Sequence, residues 1–160
     1  MLYILIVLTV VIGEHIIKNK IEKTKELGDR QEILGGKIII QKHYNEGAFL
    51  NFMEEKKEWV KTISFAFLGL LLLLFAILLP KKGNKLLKLG LSLLLGGAIS
   101  NVADRFRRGY VIDYFTINYK KLKTVIFNLS DMAIFLGSLL ITLASLLPSY
   151  GRKEARKNKV

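Results

Sequence analysis

Between Glu58 and Glu154 the sequence holds only three acidic side chains, Asp104, Asp113 and Asp131, and all three lie in or beside strongly apolar stretches. A carboxylate near the centre of a bilayer costs roughly 2.5 kcal/mol or more, so each of these acids is a candidate for a task. Asp113 is flanked by Val111, Ile112, Tyr114 and Phe115, a setting that disfavours its charged form and raises its pKa. A second carboxylate close by would leave one member of the pair protonated and one ionised. Such a pair can activate water, the ionised member taking a proton as the neutral one protonates a carbonyl oxygen. Asp131 is the natural partner. Two amides repeat at the same spacing, Asn101-x-x-Asp104 and Asn128-x-x-Asp131, and residues three apart share a helix face, so each amide is expected beside its own acid.

The chain that must position these groups has 160 residues, 51% of them hydrophobic, and a net charge of +12. A single membrane-embedded domain over residues 1–160 is the expected organisation. Apolar stretches at 1–17, 60–80, 85–103 and 125–148 each approach bilayer length at roughly 1.5 Å per residue. These predict an all-α membrane protein, a four-helix bundle. The first stretch lacks a basic leader and a small-residue cleavage site and reads as a retained anchor. Pro80 and Pro148 stop the second and fourth stretches, and Trp59 and Tyr150 suit the membrane interface.

The connection 18–58 opens with a polar, linker-like run at 18–32. Within the two longer connections, 36–44 and 110–119 are rich in β-branched and aromatic residues and predict a small sheet over one end of the bundle. Basic residues cluster in the loop 81–88 and in the tail 149–160, which suits an anionic cytoplasmic leaflet and puts both termini inside. Connections 18–58 and 104–124 then lie outside. Against this, 104–124 carries Arg105, Arg107, Arg108, Lys120, Lys121 and Lys123, charges that the positive-inside rule would prefer in the cytoplasm. No nucleic-acid motif accompanies the basic residues, and the absence of cysteine excludes a disulfide framework and thiolate chemistry. His15 and His43 stand alone, as solvated or interfacial histidines rather than metal ligands.

Asp104 ends the third stretch and Asp131 sits about two turns into the fourth, so one connection joins them and both must face one side of the membrane, with Asp113 between. Blander roles stand beside the chemical one: Asp104 with Arg105 as an interfacial ion pair, Asn101 and Asn128 as packing glue between helices. A small ion- or proton-conducting protein lined by the three acids is the rival from another class. It predicts acids at several depths, whereas these gather at one end. A non-catalytic membrane scaffold is a further alternative.

GGAISNVADRFRRGYVIDYF, 96–115, followed by FNLSDMAIFLG, 127–137, resembles the paired signature of bacterial signal peptidase II, whose usual form is close to GGAxGNxxDRxxxGxVxDF and then FNxAD. NEGAF, 45–49, is similar to that family's Asn-x-Gly-Ala segment, and Glu14 with Lys18 matches its D-x-x-x-K pair. The resemblance implies an aspartic endopeptidase that removes the signal peptide from diacylglyceryl-modified prolipoproteins just before the lipidated cysteine. It makes Asp113 and Asp131 the catalytic pair, Asn101, Asp104, Arg105 and Asn128 the polar shell around it, and Asn45 a substrate-facing residue. Glu14 and Lys18 support this shell. No cofactor or metal is implied, and the expected partners are the prolipoprotein substrate and membrane lipid, with the enzyme a monomer. Departures from the usual pattern are Glu14 for Asp, Ser100 for Gly, Glu46 for Thr and Ser130 for Ala, and they bear on substrate preference.

Overall fold

A computed structural model describes residues 1–46 and 57–146. Among these residues four helices are long and apolar enough to cross a membrane. They are α1 (Leu2–Thr24), α2 (Lys57–Leu78), α3 (Lys85–Arg108) and α4 (Leu129–Leu146). Three antiparallel strands, β1 (Arg30–Ile33), β2 (Ile38–Asn45) and β3 (Val111–Ile117), form one sheet in the order β1-β2-β3. The chain is therefore a multi-pass membrane protein of helical class with a small sheet. Pro148, Tyr150, most of NEGAF and the basic tail lie outside the described residues.

Helix α3 is the hub. It packs against α1, α2 and α4 and is over half buried, whereas the other three present most of their surface outward. Their exposed side chains, among them Phe65, Phe67, Leu72, Phe135 and Leu139, are suited to acyl chains. In lipid the apolar effect no longer drives helices together, so close packing must. Glycines permit it between α3 and α4: a Cβ on Gly97 would meet the Ser130 carbonyl at 2.4 Å, and one on Gly90 would meet the Gly137 carbonyl at 2.7 Å. Gly96 makes the matching approach to α1, where a Cβ would fall 2.9 Å from that of Val10. Away from the sheet, Val7, Leu71, Leu91, Leu94 and Leu95 form the apolar core.

The helix bounds depart from the apolar stretches for physical reasons. α1 continues past residue 17 to Thr24 because Glu14 and Lys18 are buried with partners on α3 and do not end the helix. α3 continues past residue 103 to Arg108, where Gly109, at φ 85°, turns the chain into β3. α4 begins at Leu129, not 125, because residues near Phe127 pair with β3. Asp131 accordingly lies in the first turn of α4. The run 18–32 is no linker: it holds the last turns of α1 and the start of β1, an exposed edge strand that pairs with β2 from Arg30↔Gln41 to Ile33↔Ile38.

Candidate active site

The site is assembled where α4 starts. Phe127 joins β3 through backbone bonds, its N–H to the Phe115 carbonyl at 2.7 Å and its carbonyl to the Tyr114 N–H at 2.9 Å. Asn128 is the next residue and caps the helix. Its side-chain oxygen accepts the Asp131 N–H at 2.9 Å, while the Asp131 carboxylate accepts the Asn128 N–H at 3.2 Å. This reciprocal capping box explains the Asn-x-x-Asp spacing. The two residues do not sit side by side on one helix face, as i,i+3 spacing alone suggested; they close the end of the helix on each other.

The other arm of Asn128 reaches the second acid. Its amide nitrogen donates to Asp113 at 2.6 Å, and Asn45 from β2 donates to the other Asp113 oxygen at 2.9 Å. Asn128 is fully buried and Asp113 only 2% exposed. Burial pushes the Asp113 carboxyl up to about 7, and the neighbouring charge of Asp131 adds to the rise; the two amides and the Lys18 charge oppose it. One residue thus binds both carboxyl groups, that of Asp113 through its side-chain amide and that of Asp131 through its backbone N–H. They face a single cavity of about 410 Å³ whose polar wall is Asn45, Asn101, Arg105, Asp113 and Asp131 and whose apolar wall includes Val111, Phe127, Met132, Ile134 and Phe135.

Behind the acids lies a charged network. Asn101 does not bond Asp104, three residues on; its nitrogen donates to Asp131 at 2.9 Å and its oxygen accepts from the Lys18 ammonium at 2.9 Å. Lys18, 1% exposed, also pairs with Asp104 at 2.8 Å and reaches Ser100 at 3.3 Å and Glu14 at 3.7 Å. Asp104 binds Arg108, which continues to Glu22 at 2.9 Å and to Asn19. Asp104 therefore stands outside the cavity, in the ion network, and its cationic partners are Lys18 and Arg108 rather than Arg105. Arg105 instead lines the cavity, within electrostatic reach of Asp113 and Asp131, and its buried Nε has no hydrogen-bond partner among the described residues. The Asn45 side-chain oxygen likewise has no partner among the described residues.

Glu14 and Tyr114 complete the surroundings. Glu14 accepts the Ser130 N–H at 3.2 Å, and the Tyr114 hydroxyl donates to Glu14 at 2.8 Å while accepting the Leu129 N–H at 3.1 Å. Burial pushes the Tyr114 hydroxyl well above its usual range, and the Glu14 carboxylate beside it adds to the effect. Tyr114 and Arg108 were not singled out from the sequence. Tyr114 reads there as one more apolar residue of the strand, but it stands where the usual signature has Phe, and that added hydroxyl is the signal that could have marked it. His15 bonds Asn19, and His43 sits in register opposite Asp113 on β2. Among the described residues no group of three His, Cys, Asp or Glu side chains is arranged to hold a metal ion.

Comparison with known proteins bears on this arrangement. A profile of the family described as signal peptidase (SPase) II matches residues 6–147. The chain is also similar to two solved bacterial membrane enzymes determined by the in meso method. The first is 30% identical with a TM-score of 0.78, covering 90% of this chain and 87% of that one. The second is 28% identical with a TM-score of 0.76, covering 92% and 94%. With four membrane-length helices, a buried Asp113 and a half-buried Asp131 at one end and a family match over nearly its whole length, the chain belongs to the signal peptidase II family, the aspartic peptidases that process lipoprotein precursors.

Proposed function

We propose that Asp113 and Asp131 are the catalytic pair of this peptidase and that the cavity they share receives the segment around the lipidated cysteine of a diacylglyceryl-modified prolipoprotein. The observation that carries this reading is Asn128, whose single side chain and backbone amide bind both carboxyl groups at the edge of one cavity. Asp131 lies at the positive end of the α4 dipole and accepts two N–H donors, which makes it the place for negative charge. Asp113, pushed up to about 7, holds the proton.

A water between them loses a proton to Asp131 as its oxygen attacks the carbonyl carbon of the residue before the cysteine, and Asp113 protonates the carbonyl oxygen. The tetrahedral intermediate then collapses. The C–N bond breaks, the cysteine nitrogen leaves with the proton taken up by Asp131, and the new carboxyl group returns a proton to Asp113. The two unpartnered buried atoms in the cavity are complementary, the Arg105 Nε–H a donor and the Asn45 oxygen an acceptor, and they suit the carbonyl and N–H of an extended peptide. The apolar wall from α4 suits the lipid and the signal sequence arriving sideways from the bilayer. Asn101, Lys18, Asp104 and Glu14 hold the acids in place from behind.

The sheet end faces the extracytoplasmic side of the cell membrane in this reading, with both termini and the lysine-rich loop 81–85 in the cytoplasm. The positive charges of 104–124 are less contrary than their number suggests, because Arg105 and Arg108 are absorbed by the site and the ion network. A monomer supplies every group named. The natural absence of cysteine makes orientation simple to test. A single cysteine at Leu34 should react with an impermeant maleimide from outside intact cells, and one at Gly83 only after permeabilisation; the reverse pattern would invert the topology. For activity, the full chain is reconstituted with a diacylglyceryl-modified prolipoprotein and release of the signal peptide is followed. Asp113→Asn and Asp131→Asn should each abolish release while helix content is kept. Cleavage at the wild-type rate by either variant would remove that residue from the pair.

A further inference from the structure

Tyr114 follows Asp113 on β3, and neighbouring strand residues point to opposite faces, so the ring turns away from the cavity that Asp113 faces. Its hydroxyl is nevertheless tied to the same helix. A helix leaves its first amides without partners inside itself. At α4 the first three, on Leu129, Ser130 and Asp131, are taken by oxygens of Tyr114, Glu14 and Asn128. These oxygens come from β3, from α1 and from the cap itself. Consecutive residues of the strand thus grip consecutive residues of the helix start: Asp113 binds the Asn128 side chain, and Tyr114 binds the Leu129 amide. Glu14 closes the ring, because the Tyr114 hydroxyl donates to one of its oxygens at 2.8 Å while the other receives the Ser130 amide.

We propose that Tyr114 is a positioning residue for the reaction: its hydroxyl, clamped between Glu14 of α1 and the first amide of α4, sets where Asp113 stands relative to Asp131. This rests on the assignment of those two acids as the catalytic pair. A phenylalanine would fill the same apolar space, so packing alone does not call for the hydroxyl. Removing it takes the partner of the Leu129 N–H and leaves one Glu14 oxygen without its donor in a buried place, since Tyr114 is 5% and Glu14 2% exposed. The strand and the helix are then free to shift by a fraction of an ångström, and a misplacement of that order is felt by the chemistry before it is felt by binding.

The test uses the full chain in lipid with the diacylglyceryl-modified prolipoprotein as substrate. For Tyr114→Phe we expect kcat to fall roughly tenfold and KM to stay within about twofold, because Tyr114 does not line the cavity. Glu14→Gln keeps an oxygen for Ser130 but denies the hydroxyl its acceptor, and should give the same split. The double variant should lose little more than the worse single one, since both break one latch. Hydrogen exchange at the Leu129 amide should quicken in each. Unchanged kcat per folded enzyme in Tyr114→Phe, or losses that simply multiply in the double variant, would overturn the proposal; should that variant not be recovered folded, unchanged kcat in Glu14→Gln does the same. A wild-type chain that fails to cleave the substrate would strike the assignment of the acids first, and quickened Leu129 exchange in the variants would still report the latch.

Discussion

The two halves of α3 are both buried, but by opposite means. From Lys85 to Leu95 the helix presents Leu91, Leu94 and Leu95 to Val7 and Leu71, and its one charged buried group, Lys88, gives its ammonium to the Leu79 and Lys81 carbonyls. From Gly96 to Arg108 it presents Ser100, Asn101, Asp104 and Arg105 to partners on α1, β3 and α4. The first half is shaped by close contact, the second by hydrogen bonds and ion pairs that have few alternative arrangements. The difference teaches where sensitivity lies. Substitutions in the apolar half should be read in stability, and those in the polar half in catalysis.

Asn128→Ala should have the largest effect. It removes the bond to Asp113 and the cap that orients Asp131, and cleavage should fall roughly a hundredfold or more, the size of losing one preorganised polar group at a reacting centre. Kinetics on the reconstituted enzyme would check this. Gly97 and Gly90 offer a sharper contrast, because both contact α4 backbone and differ in their distance along the helix from the acids. Gly97→Ala pushes on Ser130, one residue from Asp131, and should lower kcat by about tenfold or more. Gly90→Ala pushes on Gly137 and should lower the melting temperature while kcat at a permissive temperature is kept. Equal kinetic losses in the two would erase the distinction between the halves.

Smaller effects test the same division. Lys18→Met removes the buried ammonium from Glu14 and leaves Asp104 with Arg108 alone, and should cost about 3 kcal/mol of stability, measured by denaturation in detergent, together with lowered activity through Asn101. Leu95→Ala should cost about 2 kcal/mol in the same assay and spare the chemistry. The smallest change has an unusual sign. The Asp113 carboxyl keeps its proton to about pH 7 when folded, against an ordinary value of 3.8, so the folded state loses stability as pH rises from the lower value through the higher. Asp113→Asn should therefore raise the melting temperature at pH 8 even as it abolishes cleavage.

Much of this was legible in the sequence. Uninterrupted apolar runs announced the four helices, because a membrane span leaves little freedom in composition. The β-branched and aromatic residues at 36–44 and 110–119 announced two strands, observed at Ile38–Asn45 and Val111–Ile117. Strand β1 was hidden, since Arg30–Ile33 is an exposed edge with no alternation of polar and apolar residues to reveal it. The scarcity of acids pointed to Asp104, Asp113 and Asp131 alike, and the resemblance to the paired signature singled out the last two, but their partners could not be read from spacing. Asn101 reaches across to another helix, and Lys18 finds Asp104 more than eighty residues away. Local periodicity says which residues share a face, not which face meets which. Asn128 was noticed for the right neighbour and the wrong geometry, because a helix cap and a helix face share the same three-residue interval.

The pH dependence of cleavage tests most directly the proposal that the two aspartates share a proton. With Asp113 protonated and Asp131 ionised as the working state, kcat/KM of the wild-type enzyme should fall as pH rises through about 7, where Asp113 loses its proton. A rate that stays level from pH 6 to about pH 9, with substrate and enzyme both intact, would contradict the account.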